Sequence, residues 1–183
     1  MSNPVCLVTG SSSGIGSAIV NRFASQGYDV TVHYNSGTDS SDPRGHKTSG
    51  AERATVIADA IRQEHGVEAV TLGADLGQPE AAFDLVDRTY EQFGRLDTVV
   101  SNSGVTNFVV DEAGKAVRYR FHETPIEHLS KEMDRVLSIN LMGAYRLCQR
   151  SLKLMMDQPD QDRKRGEEPR HRRILFVGSI SDV

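Results

Sequence analysis

Residues Leu7 to Gly16 read LVTGSSSGIG, and the fold turns on how that stretch is read. A short apolar run, Val5 to Val8, leads into Gly10, Gly14 and Gly16, with Ser11, Ser12 and Ser13 between the first two glycines. Ile15, Ile19 and Phe23 then recur at helical spacing until Gly27 stops the pattern. The unit is strand, glycine turn, helix. Such a turn brings backbone N–H groups to the positive end of a helix, where an anion can approach if no Cβ blocks it. Gly10, Gly14 and Gly16 clear that approach, and the three serines add hydroxyl donors for a phosphate or ribose. Glycine also serves tight turns with positive φ where no ligand is involved, so the loop alone leaves both readings open. A P-loop is excluded, because no Gly-Lys-Ser/Thr follows.

Outward from that stretch, apolar runs alternate with helical patterns. Asp29 to Tyr34, Glu68 to Leu72, Leu96 to Ser101 and Ile174 to Val177 read as further strands. Between them, Ala54, Ala58 and Ile61 mark a second helix, and Phe83, Val86, Tyr90 and Phe93 a third, with Pro79 near its start. From Ile126 the series Leu129, Met133, Val136, Leu137, Leu141, Ala144, Cys148 and Leu152 describes one long helix. Asn35 to Gly50 is too rich in Ser, Gly, Asp and Pro to be regular, and Asp157 to Arg173, where acids and bases mix around Pro and Gly, reads as a solvated loop. Strands joined by crossover helices require a parallel sheet covered on both faces. The expected fold is α/β, a Rossmann-type doubly wound sheet, with residues 1–183 forming one nucleotide-binding domain. Ligands of such sheets sit beyond the carboxyl ends of the strands, so the residues just after each strand are the functional candidates.

Composition narrows the classes further. The 183 residues carry a formal net charge of -4, which gives no electrostatic footprint for nucleic acid or an anionic membrane. Cys6 and Cys148 are too few for a disulfide framework or a structural zinc site, so no metal is expected and both thiols read as reduced. No basic leader precedes an apolar core at the N-terminus and no run approaches a membrane span, so the expected location is cytoplasmic.

TGSSSGIG resembles the TGxxxGIG cofactor loop of the short-chain dehydrogenase/reductase family, and further motifs follow in order. Asp75 and Leu76 in GADL are similar to the family's adenine contact; Asn102, Ser103 and Gly104 in SNSG resemble its Asn-Asn-Ala-Gly, which supports the sheet and lines the cofactor cleft. Asn140 in SIN matches the active-site asparagine, and Ser179 in GSIS falls at the catalytic serine, with Ser181 the lesser alternative. For Asp75 a turn or capping role, and for Asn102 a purely structural one, stay open beside the cofactor contact. Asn has mediocre helix propensity, which points Asn140 to a specific task such as kinking its helix and holding a water.

The resemblance implies hydride transfer between a nicotinamide and a carbonyl or secondary alcohol, with Ser179 polarising the substrate oxygen and Asn140 holding a relay water. The family's Tyr-x-x-x-Lys would follow the fifth strand, beyond Val183; Tyr119 and Tyr145 have no lysine four residues on, so the 183 residues alone are expected to be inactive. The second strand ends in His33, Tyr34, Asn35 and Ser36 with no carboxylate to repel a 2′-phosphate, and Arg44, His46 and Lys47 lie close in sequence. NADP(H) is therefore expected over NAD(H). The implied partners are a small carbonyl or alcohol substrate and further copies of the chain, a homodimer or homotetramer. Fungal polyketide reductases, 3-oxoacyl-carrier-protein reductases and bacterial sugar dehydrogenases are resembled alike, and Thr106 to Pro125 is placed to shape the substrate pocket. Two other classes fit less of the pattern: a non-catalytic NADP(H)-binding or sensing protein, and a methyltransferase on a similar sheet.

Overall fold

The computed structural model describes residues 2–37, 48–106, 109–110, 116–117, 121–123, 126–164, 166 and 168–178. Its elements in chain order are β1 (Val5–Val8), α1 (Gly14–Ala24), β2 (Asp29–Tyr34), α2 (Gly50–His65), β3 (Ala69–Gly73), α3 (Ala81–Phe93) and β4 (Thr98–Ser101). A two-stranded antiparallel pair, β5 (Val109–Val110) and β6 (Ala116–Val117), is followed by α4 (Ile126–Val136), a π-helical stretch (Leu137–Gly143), α5 (Ala144–Lys164) and β7 (Arg173–Phe176). The main sheet is wholly parallel in the order β3-β2-β1-β4-β7. Strand order reverses between β1 and β4, the doubly wound arrangement that the alternation of strands and helices requires.

Alternation along β1 divides the core between the two faces of the sheet. Cys6 and Val8 point into one cluster with Val30, Val32 and Val100, closed by Val20 and Ala24 of α1 and by Ala54, Ala58 and Ile61 of α2. Val5 and Leu7 point into the other with Val99, closed by Ala82, Leu85 and Val86 of α3 and by Leu147 and Met155 of α5. Period-two alternation in a strand covered on both sides yields two cores from one apolar run. Burial, with the Asp97 carboxylate adding to it, pushes the Cys6 thiol up, so it behaves as a small apolar side chain. The α2 start is fixed by a capping box, Ser49 accepting from the Glu52 N–H at 3.1 Å and Glu52 from the Ser49 N–H at 2.7 Å.

Three sequence readings change. Ile15 does not belong to the buried face of α1: it is 68% exposed, and the buried face is Gly16, Val20 and Ala24, with Ile19 and Phe23 at its margin. The long helix is not continuous, because the π-helical stretch interrupts it at Asn140. Asp157 to Arg173 is not a solvated loop: α5 runs to Lys164 and buries Gln158 and Asp162. Gln158 accepts from the Leu96 N–H and donates to the Leu96 C=O, both at 2.7 Å, as a neighbouring strand would. Asp162 pairs with Arg172 just before β7. At the same end of the sheet Arg95 grips Asp97 through Nε at 2.7 Å and a second nitrogen at 2.8 Å, and Asp97 also accepts the Val5 N–H at 2.9 Å.

Candidate cofactor-binding site

The carboxyl ends of β1, β2, β3 and β4 gather the candidate residues in one place. Gly10 and Gly14 have φ of +67° and +57°, the left-handed region that glycine enters without strain. The three glycines nevertheless do different work. A Cβ on Gly14 would meet nothing within 4 Å, so the backbone there faces open space. On Gly16 it would lie 2.4 Å from the Gly10 carbonyl oxygen and 2.6 Å from Asn102 Nδ2, so this glycine serves the close approach of α1 to its own loop. Ser13 stands at the N-cap in extended conformation and its side chain makes no capping bond, while the first turn holds no acidic residue. An anion is a suitable partner for the N–H groups of that turn, as a dinucleotide phosphate would be.

Behind this opening lies a web of neutral hydrogen bonds. The Ser11 hydroxyl donates to the Val8 C=O at 2.8 Å and accepts the His33 N–H at 2.9 Å, so the serine expected to offer its proton to a phosphate gives it to β1 instead. Ser12 is buried too, and Ser13 half-buried. Thr9 Oγ1 accepts the N–H groups of both Asn102 and Ser103 at 2.9 Å, tying the end of β4 to the start of the glycine turn. Asn102 donates from Nδ2 to the Thr9 C=O at 2.9 Å, the structural role that stood open beside a cofactor contact.

The turns after β2 and β3 meet beside the loop. Tyr34 packs over Gly73, where a Cβ would come within 2.7 Å of its ring, and joins the α1–α2 core. Asn35 accepts the Gly37 N–H at 3.0 Å, and the Ser36 N–H reaches the Ala74 C=O at 3.4 Å. Asp75 accepts the Gly77 N–H at 3.1 Å and a Gln78 side-chain N–H at 3.3 Å, with Leu76 buried behind it. Its carboxylate borders Gly37, so the turn role is seen directly and the edge beside Gly37 is polar.

His33 is the residue that sequence reasoning missed. Its Nδ1 accepts the Gly10 N–H at 2.8 Å, which leaves the ring proton on Nε2, 3.1 Å from the Ala74 C=O. Burial pushes its pKa down to about 4, so the ring is neutral at pH 7. A histidine as the last buried residue of a strand, two before the polar turn that starts at Asn35, was the available signal. Thr9, immediately before the first glycine, was the other.

Asn140 lies on the π-helical stretch, and each end of its amide is bonded once: Oδ1 accepts the Val105 N–H and Nδ2 donates to the Val105 C=O, both at 2.8 Å. One amide N–H and one oxygen lone pair remain for a water. Gly104 faces the same amide, with a built Cβ 3.6 Å from Asn140 Oδ1. Ser179, Ser181, Tyr119, Arg44, His46 and Lys47 fall outside the described residues. Among the described residues no cluster of His, Cys, Asp and Glu could hold a metal ion, and no helix is long and apolar enough to cross a membrane.

Comparison with known proteins bears on what this arrangement is for. A family model described as short chain dehydrogenase matches residues 4–180. Glucose 1-dehydrogenase 2 of Bacillus subtilis is 32% identical over 156 residues, 85% of this chain and 50% of that protein. Elsinochrome reductase 1 of Elsinoe fawcettii is 31% identical over 149 residues, 81% of this chain and 45% of that protein. Among solved structures, a short chain dehydrogenase from Burkholderia cenocepacia in complex with NADP is 27% identical with a TM-score of 0.64, covering 84% of this chain and 51% of that one. An alcohol dehydrogenase from Thermococcus sibiricus complexed with 5-hydroxy-NADP is 26% identical with a TM-score of 0.62, covering 83% of this chain and 53% of that one. The chain thus spans about half the length of these relatives.

Proposed function

The chain belongs to the short chain dehydrogenase family, and on that premise we propose that residues 1–183 are the nucleotide-binding domain of an NADP(H)-dependent oxidoreductase acting on a small carbonyl or secondary alcohol. The observation that carries the reading is the uncapped first turn of α1 behind the Gly10–Gly14 turn, opening at the reversal of strand order. The backbone of residues 13–16 would hold the phosphates, Asn35, Ser36 and Asp75 would border the adenosine, and Ser103 and Gly104 would line the path toward Asn140. When bound, the dinucleotide would give a hydride to the carbonyl in its reduced form or take one from the alcohol in its oxidised form. Asn140 holds the Val105 backbone through both ends of its amide, and Ser179, by its place in the GSIS motif, would orient the substrate oxygen. NADP(H) is preferred over NAD(H) because β2 ends in Tyr34-Asn35-Ser36 without a carboxylate.

Further proposals rest on surface chemistry. Tyr145, Leu152 and Met156 form an exposed apolar strip along α5, which supports assembly into a homo-oligomer. Two free cysteines and the charge balance support a cytoplasmic location.

Fluorescence titration of the chain with NADPH and NADH tests the reading. Binding of NADPH about tenfold tighter than NADH is expected, and no binding of either would overturn it. Gly16→Val should abolish binding, since the new side chain must displace the Gly10 carbonyl and with it the turn. Oxidation of NADPH by the whole protein against a panel of small ketones then separates a reductase from a sensor: cofactor affinity with no turnover would favour the sensor.

A further inference from the structure

The glycine turn has a mechanical problem that His33 solves. Three glycines in seven residues give the turn many conformations when empty, and ordering them on binding costs affinity. Something already in the fold must hold the turn. The described structure places one rigid ring between the two loops that would flank the dinucleotide, with the Gly10 N–H on one nitrogen and the Ala74 C=O on the other. The same residue's backbone N–H is bound by Ser11 Oγ, so loop and strand grip each other twice. Imidazole suits this position because its two nitrogens sit on opposite sides of a planar ring, one accepting and one donating. An asparagine or glutamine amide also carries an acceptor and a donor, but at the depth of one ring nitrogen or the other, so each reaches only one of the two contacts.

We propose that His33 is a positioning residue for the dinucleotide: as the neutral tautomer with its proton on Nε2, it locks Gly10 and Ala74 at one spacing and so preorganises the phosphate turn. This assignment rests on the cofactor reading above. It reaches the ligand only through the Gly10 backbone, since the ring itself is 2% exposed.

The test compares NADPH affinity and thermal midpoint for the wild-type chain, His33→Asn, His33→Gln and His33→Phe. Asn Oδ1 overlays Nδ1 and keeps the Gly10 bond, whereas Gln places its amide nearer the Ala74 carbonyl and loses it. Affinity is expected to stay within about threefold for Asn and to fall about tenfold or more for Gln and Phe, a split of one hydrogen bond's size. A merely structural role would lower the thermal midpoints of Asn and Gln alike and leave their NADPH affinities equal to each other. That result would overturn the proposal. Nitrogen-15 spectra of the wild-type histidine ring give a second reading that requires no variant to fold: the proton on Nε2 supports the proposal, and a proton on Nδ1 at neutral pH overturns it. Wild type that binds no NADPH would overturn the cofactor reading and this assignment together, whereas wild-type binding with equal affinity in all three variants would overturn this assignment alone.

Discussion

The two ends of the sheet solve the same problem, polar groups in a buried place, in opposite ways. At the amino ends charges are closed on charges: Arg95 on Asp97, both 2% exposed, and Arg172 on Asp162. At the carboxyl ends the buried groups are neutral: Thr9, Ser11 and His33 join backbone to backbone and bring no charge of their own. A buried ion pair spends its charge on its partner and serves to fix the fold. A neutral frame that holds a helix N-terminus open keeps the positive potential there for an incoming anion. The contrast separates stability from binding within one sheet.

The strongest way to break that contrast is at the closed end. Asp97→Ala strands the buried Arg95 guanidinium and the Val5 N–H, and should cost about 3–5 kcal/mol in urea unfolding. NADPH affinity of the fraction still folded should be unchanged; a matching loss of affinity would erase the distinction between the ends. Next in size is the acid response of the open end. The unfolded His33 takes a proton near its ordinary 6.5, while the folded ring refuses one until about 4. Between those values the unfolded chain binds more protons, so stability should fall by about 3 kcal/mol as pH drops through that window. Urea midpoints across the window, for wild type against His33→Asn, isolate this contribution, which the variant lacks. Thr9→Val leaves the N–H groups of Asn102 and Ser103 without their acceptor, and should cost about 1–3 kcal/mol of stability and also weaken NADPH. An effect on stability alone would show that the open end is not mechanically tied to the ligand. Smallest is Arg150→Ala, which removes a half-buried pair with Asp87 between α5 and α3, far from either end. It should shift the thermal midpoint by no more than about 1 kcal/mol of stability allows.

Legibility in the sequence followed the same divide. The five strands of the main sheet were readable within two residues because each is a short run rich in apolar and β-branched residues between polar turns. The glycine turn, Asp75 and Asn102 were readable because they come just after β1, β3 and β4, and Asn140 because asparagine is unusual inside a helix. The closed end was not. Gln158 and Asp162 look like surface residues until their partners Leu96 and Arg172 are known, and those partners lie in other elements. The face of α5 was misread for a different reason. A π-helical turn holds an extra residue, which rotates everything after it, so Leu141 and Leu152 fall outward while Leu147, Ser151 and Met155 fall inward. His33 is not legible at the end of β2 because the signal there is charge, and its contribution lies in being uncharged.

The pairing of β1 with β4 bears on how the sheet assembles in time. β1, β2 and β3 lie within the first 73 residues and are joined by single helices, whereas Cys6 must wait for Thr98. Closing a loop of that length costs entropy that grows only slowly with length, but the search for its ends lengthens. As the chain leaves the ribosome, the β1-α1-β2-α2-β3 half is expected to gather first, with one edge of β1 still bare. The strand that completes the central pairing brings Asp97 to the Val5 N–H, so the closed charge pair would act as a late latch, engaging only when the register is right. Pulse-labelling hydrogen exchange would show it: protection of Val30 and Val32 amides ahead of the Val5 amide is the expected order, and simultaneous protection would rule the latch out.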